Sequence, residues 1–180
     1  TLVWAAAMLS IKLVAYRMGG YTSDGMLFAN ALATTSALGG DWLPNASFTF
    51  DHGFVSLLED HFQPTLLLLV PLVQLLGLDF LFAVPVIGAV AAVFVLERVM
   101  LSARTSGPLR FTVVVLFLCN FVFMISVFDG NNGFHTDSLY VLLLPLMLWA
   151  HWRRRWILFF VATILVMGVK ENGALYVGAY

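Results

Sequence analysis

The chain has 180 residues, 61% hydrophobic and 11% charged, with a net charge of -1 and a mean hydropathy of +0.94. Soluble domains carry about 25% charged and about 45–50% apolar residues, so this composition belongs to an integral membrane protein. It excludes a nucleic-acid binder, since no basic patch is present, and a disulfide framework, since Cys119 has no second cysteine to pair with.

The first apolar run, residues 1–16, predicts a helix interrupted by Lys12. A more polar stretch follows from Arg17 to His61. Within it, Asp24 to Leu38 predicts an amphipathic helix that Gly39-Gly40 ends, with Asp24 near the positive end of the helix dipole. Residues 41–60 read as loop and include Asp51-His52. The apolar run from Pro64 to Leu76 is shorter than the roughly 20 helical residues a bilayer core requires. It reads as an interfacial or re-entrant helix, begun by Pro64 and stopped by Gly77. Leu78 to Met100 is long enough to cross, Phe111 to Phe128 crosses back, Ser138 to Trp152 crosses again, and Trp156 to Val169 is the last crossing.

The expected architecture is an all-α, polytopic transmembrane helix bundle with a long first outer loop carrying surface-lying helices. Residues 1–16 form the first helix, 17–77 the outer loop, 78–169 a four-helix continuation and 170–180 the start of the next outer segment. Both ends fall inside apolar runs, so the stretch reads as a single transmembrane domain in the N-terminal part of a longer protein.

Arginine placement orients this bundle. Arg98, Arg104 and Arg110 mark one cytoplasmic loop and Arg153-Arg154-Arg155 a second, two crossings later, flanked by the interfacial Trp149, Trp152 and Trp156. Residues 129–137 and 170–172 then lie outside. If Pro64 to Leu76 does not cross, everything from Arg17 to His61 lies outside as well. Lys12 and Arg17 stand against the rule at the outer end of the first helix.

Four polar clusters therefore meet at the outer face: Ser23-Asp24-Gly25, Glu59-Asp60-His61, Phe134-His135-Thr136-Asp137 and Lys170-Glu171-Asn172. Ionisable residues are costly in and near a bilayer and are often functional when kept. Each also has a plain structural reading. Asp24 is either a helix-opening residue or a general base. His61 stands at a helix entrance or beside a phosphate or metal. His135 to Asp137 is either a turn capped by Thr136 or Asp137, or an anion site at a helix start. Lys170-Glu171 is either a snorkelling pair or an acid and a base serving a site.

Taken in order, these elements resemble the predicted integral membrane family known as domain of unknown function 2079. Its members carry an aspartate-led helix in the first loop, an H-F-x-P element, an F-H-x-[DE] element and a K-E element. Here these correspond to Ser23-Asp24-Gly25-Met26, where the usual form is F-D-L-G, then His61-Phe62-Gln63-Pro64, Phe134-His135-Thr136-Asp137 and Lys170-Glu171. That family in turn resembles the GT-C superfamily of polytopic glycosyltransferases, which use polyprenyl-phosphate-linked sugars at the outer membrane face.

The resemblance implies a membrane glycosyltransferase with Asp24 as the catalytic base. His61, His135, Lys170, Glu171 and Arg17 are then candidates for binding the donor phosphate or the acceptor. A divalent metal is a further cofactor candidate. Lys12 and Arg17 would face the anionic lipid carrier. The expected partners are a lipid-linked sugar donor and membrane lipid, the expected location a bacterial or archaeal plasma membrane. A secondary transporter and a non-catalytic membrane assembly subunit are the competing readings.

Overall fold

Proline, glycine and single polar residues punctuate an otherwise nearly continuous apolar chain, and the helices run between them. The structure is a computed structural model that describes residues 1–21, 23–35, 42–45, 55–56, 58, 63–129 and 133–179. Helix α1 spans Leu2–Arg17 and α2 spans Ser23–Thr34. A two-residue antiparallel pairing follows, β1 (Pro44–Asn45) with β2 (Val55–Ser56). The sequence reads as loop here, because two residues a side are too few to set an alternating pattern.

Pro64 opens a 3-10 turn, Pro64–Leu68, which leads into α3, Val70–Leu76. The expected short Pro64 to Leu76 helix is thus two pieces, and its second proline, Pro71, sits in the first turn of α3, where a missing N–H costs nothing. Helix α4, Leu78–Ser102, is the one described helix long and apolar enough to cross a membrane by itself. It tolerates the internal Pro85, as membrane helices packed against neighbours do.

The expected crossing from Phe111 to Phe128 is broken. Helix α5 covers Gly107–Leu118 and α6 covers Phe121–Phe128. Asn120 causes the break, since its Oδ1 accepts the Phe123 N–H at 3.1 Å and so opens a new helix. A second 3-10 turn, Thr136–Leu139, runs into α7, Tyr140–Trp152. Helices α8, Trp156–Met167, and α9, Gly173–Gly178, complete the described chain.

Among the described residues, three apolar cores hold these helices side by side. One joins Phe28 and Leu32 of α2 to Leu66, Val73, Phe82 and Phe134. A second joins Val86, Ala89 and Val93 of α4 to Val114, Leu118 and Val127. The third joins Leu143 and Met147 of α7 to Ala162 and Val166 of α8. Away from these cores, Ile157, Phe160 and Ile164 share one face of α8 at 84%, 60% and 68% exposure. An apolar face so open in water would drive association, and lipid is the solvent that suits it.

Candidate functional site

The C-terminal ends of α1, α6 and α8 meet the N-terminal ends of α4 and α7 at one end of the molecule. His135 caps the 3-10 turn there, in extended backbone at φ -141° and ψ 146°. The sequence points to Thr136 or Asp137 for this role. The histidine takes it because its Nδ1 reaches forward to the Asp137 N–H at 3.4 Å. The Asp137 Oδ2 also lies 3.1 Å from that nitrogen. The two bonds alternate with the proton on Nδ1. An ion-assisted bond is worth about 1.5–3 kcal/mol against about 0.5–1.5 for a neutral one, so the carboxylate contact is the stronger. It leaves Nε2 as the ring's second functional nitrogen.

Lys170 comes to the same carboxylate from the other end of the sequence. Its Nζ lies 3.9 Å from Asp137 Oδ2, and its side chain is largely buried. The turn that carries it is pinned by Tyr140, whose hydroxyl donates to Asn172 Oδ1 at 2.7 Å and whose ring meets Tyr176 edge-on at 5.0 Å. Glu171 is exposed on the same turn. Asp137 and Asn172 belong to two of the polar clusters read from the sequence, without a binding role of their own there, and Tyr140 lies outside those clusters. The signal for Tyr140 is its spacing, three residues after Asp137 where the 3-10 turn runs into the helix.

The 3-10 turn that Pro64 opens docks on the same segment. The Thr65 N–H donates to the Gly168 carbonyl at 2.9 Å and the Thr65 hydroxyl to the Leu165 carbonyl at 2.8 Å. Both acceptors are carbonyls at the C-terminal end of α8, which a helix leaves without internal partners. Gly168 permits the approach, because a Cβ there would stand 2.7 Å from Thr65 Oγ1. Gln63 is buried, with no hydrogen-bond partner for its Oε1 among the described residues. The hydroxyls of Thr136 and Ser138 are buried in the same condition. His61 itself, Glu59, Asp60 and Asp51-His52 lie outside the described residues.

Helix α2 reaches the site through Phe28, whose ring meets Phe134 at 5.9 Å and His135 at 5.7 Å, both edge-on. Asp24 is the second residue of α2, and its side chain lies outside the described set.

Helix α1 overturns one expectation. Lys12 is fully buried and does not face lipid. Its Nζ donates to the carbonyls of Val127 at 2.8 Å, Phe128 at 2.9 Å and Gly133. Inside an apolar bundle an ammonium must be partnered, and the end of α6 supplies the acceptors. Tyr21 locks this arrangement from above, its hydroxyl donating to the Lys12 carbonyl at 2.8 Å. Burial, helped by the nearby Asp129 carboxylate, pushes the Tyr21 phenol up to about 12. Arg17 lies exposed and pairs with Asp79 at 3.0 Å, a surface contact worth at most about 1 kcal/mol.

Among the described residues, no group of three or more His, Cys, Asp or Glu side chains is arranged to hold a metal ion.

A family model described as predicted membrane protein (DUF2079) matches residues 23–180, and the chain belongs to that family. No curated protein and no solved structure is found to match it.

Proposed function

We propose that this integral membrane protein of the DUF2079 family is a GT-C-like glycosyltransferase, taking a sugar from a polyprenyl-phosphate-linked donor at the outer face of a plasma membrane. In this reading the chain is polytopic. Helix α4 crosses alone, α5 and α6 cross as a broken pair, and α7 and α8 cross with their flanking turns. Residues 17–77 then form the long outer loop.

The observation that carries the reading is the meeting of His135 and Lys170 on Asp137, with Phe28 of α2 against the His135 ring. Lys170 and His135, from distant segments, thus flank one carboxylate at a helix-terminal surface. Asp24 stands about one helical turn before Phe28 in α2, the spacing at which a helix repeats a face. The resemblance to GT-C enzymes assigns the chemistry. Asp24 removes the proton from an acceptor hydroxyl. The hydroxyl oxygen attacks the anomeric carbon. The bond from that carbon to the lipid phosphate breaks, and the phosphate leaves with the electron pair. Lys170 and a protonated His135 stabilise the charge that develops on it. His61, Glu171 and Arg17 complete the substrate contacts, Arg17 toward the lipid phosphate.

Transfer from a radiolabelled polyprenyl-phosphate sugar, followed in membranes, tests this. A general base contributes about 10²–10⁴-fold, so Asp24→Asn should lower transfer by that factor while membrane insertion stays normal. Unchanged transfer would remove Asp24 as the base. Absence of sugar transfer by the wild-type protein, with a bound solute moving across vesicles instead, would favour a transporter.

A further inference from the structure

Lys12 lies before the stretch that the family model matches, and no role in the proposed transfer uses it. It is nonetheless fully buried, at 0% exposure, the only charged side chain so placed among the described residues. An ammonium carries three N–H donors and no acceptor. The carbonyls of Val127, Phe128 and Gly133 converge on it, one for each donor. Val127 and Phe128 end α6, where the helix leaves its carbonyls unsatisfied and its dipole negative. The Asp129 carboxylate adds Coulombic attraction. Three inward-pointing carbonyl oxygens beside a carboxylate describe the coordination shell of a cation.

We infer that these carbonyls form a cation-binding cage whose resident cation is the tethered Lys12 ammonium, and that its occupancy positions His135. The path is short. Gly133 gives its carbonyl to Lys12, Phe134 follows at 0% exposure, and His135 comes next. Tyr21 fills the space over Gly133 while its hydroxyl holds the Lys12 backbone, so the loop and α1 grip each other twice. Lys12 is thus a positioning residue. The cage stands on its own geometry, and only the importance of His135 rests on the function proposed above.

The test uses Lys12→Ala in the complete protein, purified in detergent, with n-propylammonium as the probe. That ion has the length and charge of the side-chain atoms removed. Two readouts are followed: the thermal midpoint, and the rate of His135 carbethoxylation by diethyl pyrocarbonate, mapped by mass spectrometry. Lys12→Ala should lower the midpoint and raise the His135 rate several-fold, as a loosened loop opens more often. Millimolar n-propylammonium should return both toward wild type, and n-propanol should return neither. Recovery by potassium chloride as well would support the cage as a site for bare cations. Recovery of the midpoint without the His135 rate would overturn the positioning role. No recovery by any cation would overturn the cage.

Should Lys12→Ala fail to accumulate, Lys12→Gln carries the test, because it keeps two donors and drops the charge. Wild-type behaviour of Lys12→Gln would sink the cation reading, whereas a lowered midpoint and a faster His135 rate would support it. None of these readouts depends on sugar transfer, so the cage and the enzymatic reading can fail separately.

Discussion

Gly133 sits at φ +70°, a conformation L side chains rarely adopt, and a Cβ there would stand 2.4 Å from the Tyr21 ring. Gly133→Ala should therefore cost about 1–3 kcal/mol, from overpacking added to backbone strain. Equilibrium unfolding in mixed micelles measures this, and wild-type stability would show that the Tyr21 ring can move aside without loss. The sequence offered no warning of this contact, since Tyr21 and Gly133 are distant in the chain. Lys12 was visible as an anomaly, a cation in an apolar helix at odds with its flank. Its solution was not, because hydrogen-bonding carbonyls carry no residue signature. His135 and Lys170 stood out for the opposite reason: side-chain chemistry is written in residue identity.

Between elements, the contact that joins the Pro64 turn to the Lys170 turn is Thr65 against the end of α8. Gly168→Ala would drive a methyl toward Thr65 Oγ1, and Thr65→Ala would remove the hydroxyl that it meets. Each single change should destabilise, the second by about 1 kcal/mol for its lost hydrogen bond. The double mutant should cost less than their sum, by about 0.5–3 kcal/mol of coupling. A double-mutant cycle on thermal or denaturant unfolding reads that term, and strict additivity would mean that the two elements are held elsewhere. The helix boundaries were legible where proline or glycine marked them, as at Pro64 and Gly77. The break at Asn120 was not, because one amide in an apolar run reads as tolerated polarity until its bond to the Phe123 N–H is seen. The β1–β2 pairing escaped for a related reason, two residues being too few to set an alternating pattern.

For the molecule as a whole, the decisive quantity is which end faces out. Residues 133–137, the Lys170 turn, the Thr65 contact and the Arg17–Asp79 pair share one end, and the turns at 103–106 and 153–155 close helices that run away from it. The three exposed arginines at 153–155 lie beside Trp152 and Trp156, which are about half exposed. Aromatic rings beside a basic turn are the pattern of a cytoplasmic membrane interface. In the proposed topology the site end then faces outward. Single-cysteine reporters in a Cys119→Ser background check this in intact cells. His135→Cys and Asn172→Cys should react with an impermeant maleimide added from outside, and Arg104→Cys only after the membrane is opened. The reverse pattern would place the His135–Asp137–Lys170 cluster in the cytoplasm. There a donor presented at the outer face could not reach it, and the glycosyltransferase reading would fall with the geometry of the cluster left intact.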